Sequence, residues 1–123
     1  MGASALIIAR PGPLRESLEA LVGTMPQMGA VDVASDVRLP WTAVAGRRPA
    51  LVLLEVARTG DGVWKSVRWA KTRWPQARTI VLVGSVDQQA EAEAAGADAV
   101  LLQGFPAGKL VAAIVKLLPQ PVL

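Results

Sequence analysis

The stretch Arg48-Pro49-Ala50-Leu51-Val52-Leu53-Leu54-Glu55-Val56 constrains the fold more than any other part of the chain. A proline sets its entry, Leu and Val follow without a break, and a single carboxylate closes the run. An apolar run this short, bounded by turn signals, predicts a strand covered on both faces, as in a parallel sheet flanked by helices. In open α/β sheets, chemistry gathers just beyond the carboxyl ends of the strands. Glu55 stands at such an end, so its neighbours are the first place to look for function.

The rest of the chain repeats the pattern. Ala5–Ala9 reads as a short buried strand, ended by Arg10-Pro11-Gly12-Pro13. Leu14, Leu18, Leu21 and Val22 recur at helical spacing, and Gly23 and Pro26 stop that helix. Ala30–Ala34 predicts a second strand, and Arg38–Gly46 a weak second helix with Pro40 in its first turn and Trp41 packing near its start. A third helix is expected over Val63–Arg73, with Val63, Val67, Ala70 and Trp74 on one face and the turn Thr59–Gly62 before it. Thr79–Val83 predicts a strand, Asp87–Ala95 an acidic helix, Ala99–Leu102 a strand and Ala107–Leu118 a final helix. Five strands alternating with five helices define an α/β, doubly wound parallel sheet.

Composition sets the outer bounds. The chain has 123 residues and is 52% hydrophobic, which suits one folded domain over residues 1–118, with 119–123 as a tail or the start of a linker. No apolar run approaches the ~20 residues needed to cross a bilayer. The first residues lack a basic leader and a long apolar region, so no signal peptide is expected and a cytoplasmic protein is. With no Cys and no His, disulfides, thiolate metal sites and His-based triads are excluded. No Gly-x-Gly-x-x-Gly follows the first strand and no P-loop pattern occurs, which argues against a dinucleotide or P-loop site.

Charge is unevenly spread. The segment from Arg38 to Arg78 carries nine basic residues (Arg38, Arg47, Arg48, Arg58, Lys65, Arg68, Lys71, Arg73, Arg78) against Glu55 and Asp61. The segment from Asp87 to Asp98 carries four acids and no base. Such polarity reads either as solvated helix faces or as surfaces for charged partners.

Several phrases, in this order and spacing, carry a family resemblance. They are Leu14-Arg15-Glu16-Ser17-Leu18-Glu19-Ala20-Leu21, Arg48–Leu54, Ala94-Ala95-Gly96-Ala97-Asp98-Ala99 and Lys109-Leu110-Val111-Ala112-Ala113-Ile114. From Ala5 to about Leu118 the chain resembles the CheY-like receiver domain of bacterial response regulators, nearest the branch with a LuxR-type output. The resemblance implies a flavodoxin-like fold with strand order 2-1-3-4-5. It further implies an Asp phosphoacceptor after the third strand and an acidic pair that holds Mg²⁺. A Thr or Ser, a Lys and a switch aromatic would complete the site.

This chain departs at every one of those positions. Ala9 and Arg10 match the acidic pair, Glu55 the phosphoacceptor, Gly84 the hydroxyl, Gln103 the lysine and Val100 the switch aromatic. Phosphoryl transfer needs a metal and donors to neutralise developing charge, and these residues supply neither. The expectation is a pseudo-receiver that is not an enzyme, needs no cofactor and does not bind Mg²⁺. Three roles stay open for Glu55. It forms a charge-assisted pair with Arg10 in the place of the metal, it imitates a phosphorylated Asp with only one negative charge, or both side chains face solvent.

Trp64 and Trp69 fall off the apolar stripe of their helix, next to Lys65, Arg68, Lys71 and Arg73. They are candidate interface anchors, or they lie over neighbouring side chains. The expected partners are a protein or output domain and a second copy of the chain, through the acidic helix, fifth strand and last helix or through the first and last helices. Direct nucleic-acid binding by this chain alone and membrane binding are not expected. Two other readings are the receiver-like localisation domain of a pilus-assembly-type ATPase and a small-ligand sensor with a pocket among Ala9, Arg10, Glu55 and Gly84.

Overall fold

The computed structural model describes residues 3–34, 49–56 and 61–118. The element order is β1 (Ala3–Ile8), α1 (Pro13–Gly23), β2 (Met28–Ala34), β3 (Leu51–Glu55), α2 (Asp61–Arg73), β4 (Arg78–Val83), α3 (Val86–Ala94), β5 (Ala99–Leu102) and α4 (Ala107–Leu117). The strands form one five-stranded sheet in the order β2-β1-β3-β4-β5. All neighbours are parallel. The fold class and strand order are those expected. The helix expected over residues 38–46, Trp41, the turn at 59–60 and the tail at 119–123 lie outside the described residues.

Parallel strands buried on both faces alternate between two cores. Leu6, Ile8, Val52, Leu54, Val81 and Val83 meet Trp64, Val67 and Ala70 of α2, Trp74 just after it and Ala92 of α3 on one face. Ala5, Ile7, Leu51, Leu53, Ile80 and Leu82 meet Leu18 and Val22 of α1 and Leu110 and Ile114 of α4 on the other. The central β3 leaves Leu51, Val52 and Leu53 without solvent contact. The strands β1 and β2 start earlier than the apolar runs because Ala3 pairs with Met28 through the backbone, which needs no apolar side chain. No helix among the described residues is long and apolar enough to cross a membrane.

The sheet presents its carboxyl ends together. Three of the four ladders run one residue past the strand: Ala9 N–H donates to the Ala34 carbonyl at 2.9 Å, Val56 to Leu82 at 2.8 Å and Gln103 to Val83 at 2.7 Å. Arg10 is therefore the first residue of its loop with an amide not used by the sheet. Gly12, at φ 152°, turns the chain into α1, and Pro13 occupies the first helical turn, where no N–H is required. Gly104, at φ 91°, makes the corresponding turn from β5 toward α4.

Candidate functional site

The ends of β1 and β3 are adjacent because the two strands pair directly, Ile8 opposite Leu54. This brings Arg10 and Glu55 together. The Arg10 backbone N–H donates to Glu55 Oε1 at 3.1 Å. The Arg10 Nε lies 3.7 Å from the same oxygen, with the arginine side chain 66% exposed and the glutamate side chain 6% exposed. Glu55 is thus nearly enclosed and held chiefly by a backbone amide, while the guanidinium lies over it from solvent. A backbone donor does not depend on residue type, so sequence reasoning that looks only at side chains could not have found it.

Gly84, which the resemblance sets at the hydroxyl position, is also closed internally. Its N–H donates to the side-chain Oε1 of Gln88 at 2.8 Å. Gln88 is buried, and its own N–H donates to the Ser85 hydroxyl at 3.3 Å, so Ser85 caps α3. The Ser85-x-x-Gln88 spacing is a capping-box signal that the sequence did carry. Gln103 is exposed, and its backbone belongs to the β4–β5 ladder. Val100 is half-buried and packs on the core shared by α2 and α3, so it fills space as an apolar residue. A groove of about 350 Å³ lies along β5, lined by Gln89, the Val100–Pro106 segment and Lys109; Ala9, Arg10, Glu55 and Gly84 are not part of its lining.

Of the two roles left open for the tryptophans, the structure shows packing over neighbouring side chains. Trp64 is not an exposed anchor: it is 7% exposed and its Nε1–H donates to Glu91 Oε2 at 2.6 Å. It lies off the stripe facing the sheet because α3 supplies a second wall beside α2. Trp69 is half-buried, packed on the same core and set edge-on to Trp74, with ring centroids 5.6 Å apart at 88°. Both rings serve packing between elements.

The chemistry these residues permit is narrow. Mg²⁺ demands near-octahedral oxygen coordination. Here one carboxylate, already bonded to an amide, lies beside the cationic Arg10, and the buried side chain of Ala9 offers no oxygen, so the residues present do not fit the ion. Among the described residues no group of three or more acidic side chains gathers as a possible metal site. Glu55, Gly84 and Gln103 provide neither a hydroxyl nor an ammonium for a phosphoryl oxygen.

No protein-family model matches the sequence, and no curated protein matches it. Solved structures do. A response regulator from Thermotoga maritima is 16% identical, with a TM-score of 0.83 over 98% of this chain and 100% of that one. A LuxR family DNA-binding response regulator from Silicibacter pomeroyi is 22% identical, with a TM-score of 0.76 over 94% of this chain and 90% of that one. NtrX from Brucella abortus, solved in complex with ADP, is 18% identical, with a TM-score of 0.82 over 96% of this chain but only 26% of that one. At such identities the likeness establishes the fold, which is that of response-regulator receiver domains.

Proposed function

We propose that this chain is a receiver-like module of bacterial signal transduction or transcription regulation that works through protein contacts without phosphoryl transfer. The supporting observation is the Arg10–Glu55 contact, which closes the carboxylate that a phosphodonor would have to reach. The Gly84–Gln88 bond closes the neighbouring loop in the same way. The module acts in the cytoplasm on a protein partner or output domain and as a homodimer. It is not an enzyme, and it does not bind nucleic acid by itself. Incubation with acetyl phosphate and Mg²⁺, followed by intact-mass measurement, tests the reading. An unchanged mass is expected, and one added phosphoryl group on Glu55 would overturn it.

A further inference from the structure

We infer that the surface formed by α2 and α3 is self-complementary in charge and docks a second copy of this chain about a twofold axis parallel to the two helices. The inference rests on the reading of the chain as a protein-contact module and names the surface that makes the contact. The helices lie side by side on one face of the sheet, joined by the Trp64–Glu91 bond. On α2, Lys65 and Arg68 are exposed and carry no ion pair among the described residues. On α3, Asp87 and Glu93 are exposed, and between them Val86, Ala90 and Ala94 recur every fourth residue on the outer face. Val86, at 69% exposure, is the most exposed large hydrophobic side chain among the described residues.

A surface that is basic on one half and acidic on the other selects its own symmetry. An isologous contact repeats every interaction twice, so a favourable half-contact is doubled and a repulsive one is too. A twofold axis running between the helices and parallel to them sets α2 of each copy on α3 of the other. A twofold axis across them sets α2 on α2 and α3 on α3, like charge on like. Only the first arrangement places Lys65 and Arg68 against Asp87 and Glu93, and electrostatic complementarity of this kind fixes register and suppresses wrong pairings. The small side chains of Ala90 and Ala94 let the partner helix approach closely. The aliphatic stems of Lys65 and Arg68 then cover Val86.

Sedimentation equilibrium on the full chain and two charge variants tests the surface. The wild type should self-associate, and its dissociation constant should rise with added salt as the charges are screened. K65E/R68E and D87K/E93K should each weaken self-association by about tenfold or more, since like charges then face each other twice. An equimolar mixture of these two variants should form a heterodimer, because one surface is wholly acidic and the other wholly basic. Thermal melts of both variants within a few degrees of wild type show that folding is intact. A wild type that stays monomeric, or variants that dimerise as well as wild type and show no preference for each other, would overturn the surface. The acetyl phosphate experiment stays independent: a dimer indifferent to these substitutions removes this face alone, whereas a phosphorylated chain removes the module reading.

Discussion

The indole Nε1–H of Trp64 points at Glu91 Oε2 across 2.6 Å and thereby ties α2 to α3 above the sheet. A short N–H···O bond to a carboxylate is stronger than a neutral pair, and its indole is buried. Trp64→Phe keeps most of the apolar ring but removes the donor, so it should cost about 1–3 kcal/mol in urea denaturation. Glu91→Gln, which retains an acceptor oxygen, should cost less than Glu91→Ala. A double-mutant cycle of Trp64→Phe with Glu91→Ala should show coupling, and strict additivity would mean the bond contributes nothing.

Asp98 gathers three donors at the opposite end of the sheet. Its Oδ2 accepts from Thr79 N–H at 2.8 Å and from Lys71 Nζ at 2.9 Å, and Oδ1 lies 4.0 Å from Arg78. Asp98→Ala should destabilise by about 1–3 kcal/mol, mainly because the Thr79 amide loses its acceptor. Asp98→Asn should recover part of that loss, and Lys71→Ala should cost under about 1 kcal/mol, as for a solvent-facing pair. Chemical denaturation of the three variants orders them, and a larger loss for Lys71→Ala than for Asp98→Ala would contradict this account.

The loop between β4 and α3 is closed by two separate bonds that amide exchange can tell apart. Ser85→Ala removes the helix cap and should cost about 1 kcal/mol while speeding exchange at the Gln88 amide. Gln88→Ala should instead speed exchange at Gly84, whose N–H it leaves without its partner. Equal effects of both variants on both amides would mean that the loop opens as one unit.

At the candidate site, the backbone contact should outweigh the ionic one. Glu55→Ala should raise the exchange rate of the Arg10 amide by about tenfold, the equivalent of about 1.4 kcal/mol, while Glu55→Gln should leave it nearly unchanged. Arg10→Ala should change stability by under about 0.5 kcal/mol, because its guanidinium is largely solvated and 3.7 Å away. Protein-detected nuclear magnetic resonance exchange on the three variants measures this directly. An Arg10→Ala variant that frees Glu55 as fully as Glu55→Ala does would reverse the assignment.

The sheet was legible in the chain because its signals are local. Leu51–Leu54, Ile80–Val83 and Ala99–Leu102 are short apolar runs between turn residues, and parallel strands buried on both faces require such runs. The helix stripe Val67, Ala70, Trp74 was legible for the same reason, since one helix facing one sheet imposes a single period. The role of Trp64 stayed open in the sequence because a helix beside another helix is buried on a second flank. A one-period pattern contains no trace of that flank.

By itself the sequence determined that the chain is an α/β sheet protein, that Ala9, Arg10, Gly84 and Gln103 supply no carboxylate, hydroxyl or ammonium, and that charge is split between neighbouring segments. Only the tertiary structure decided that Glu55 is held by the Arg10 backbone amide, that Gln88 closes the Gly84 loop and that Trp64 belongs to the core. Residue types fix what a position can do chemically, and near-neighbour periodicity fixes which face is apolar. Contacts between residues 45 positions apart, such as Arg10 and Glu55, depend on strand register and on backbone donors that every residue carries alike.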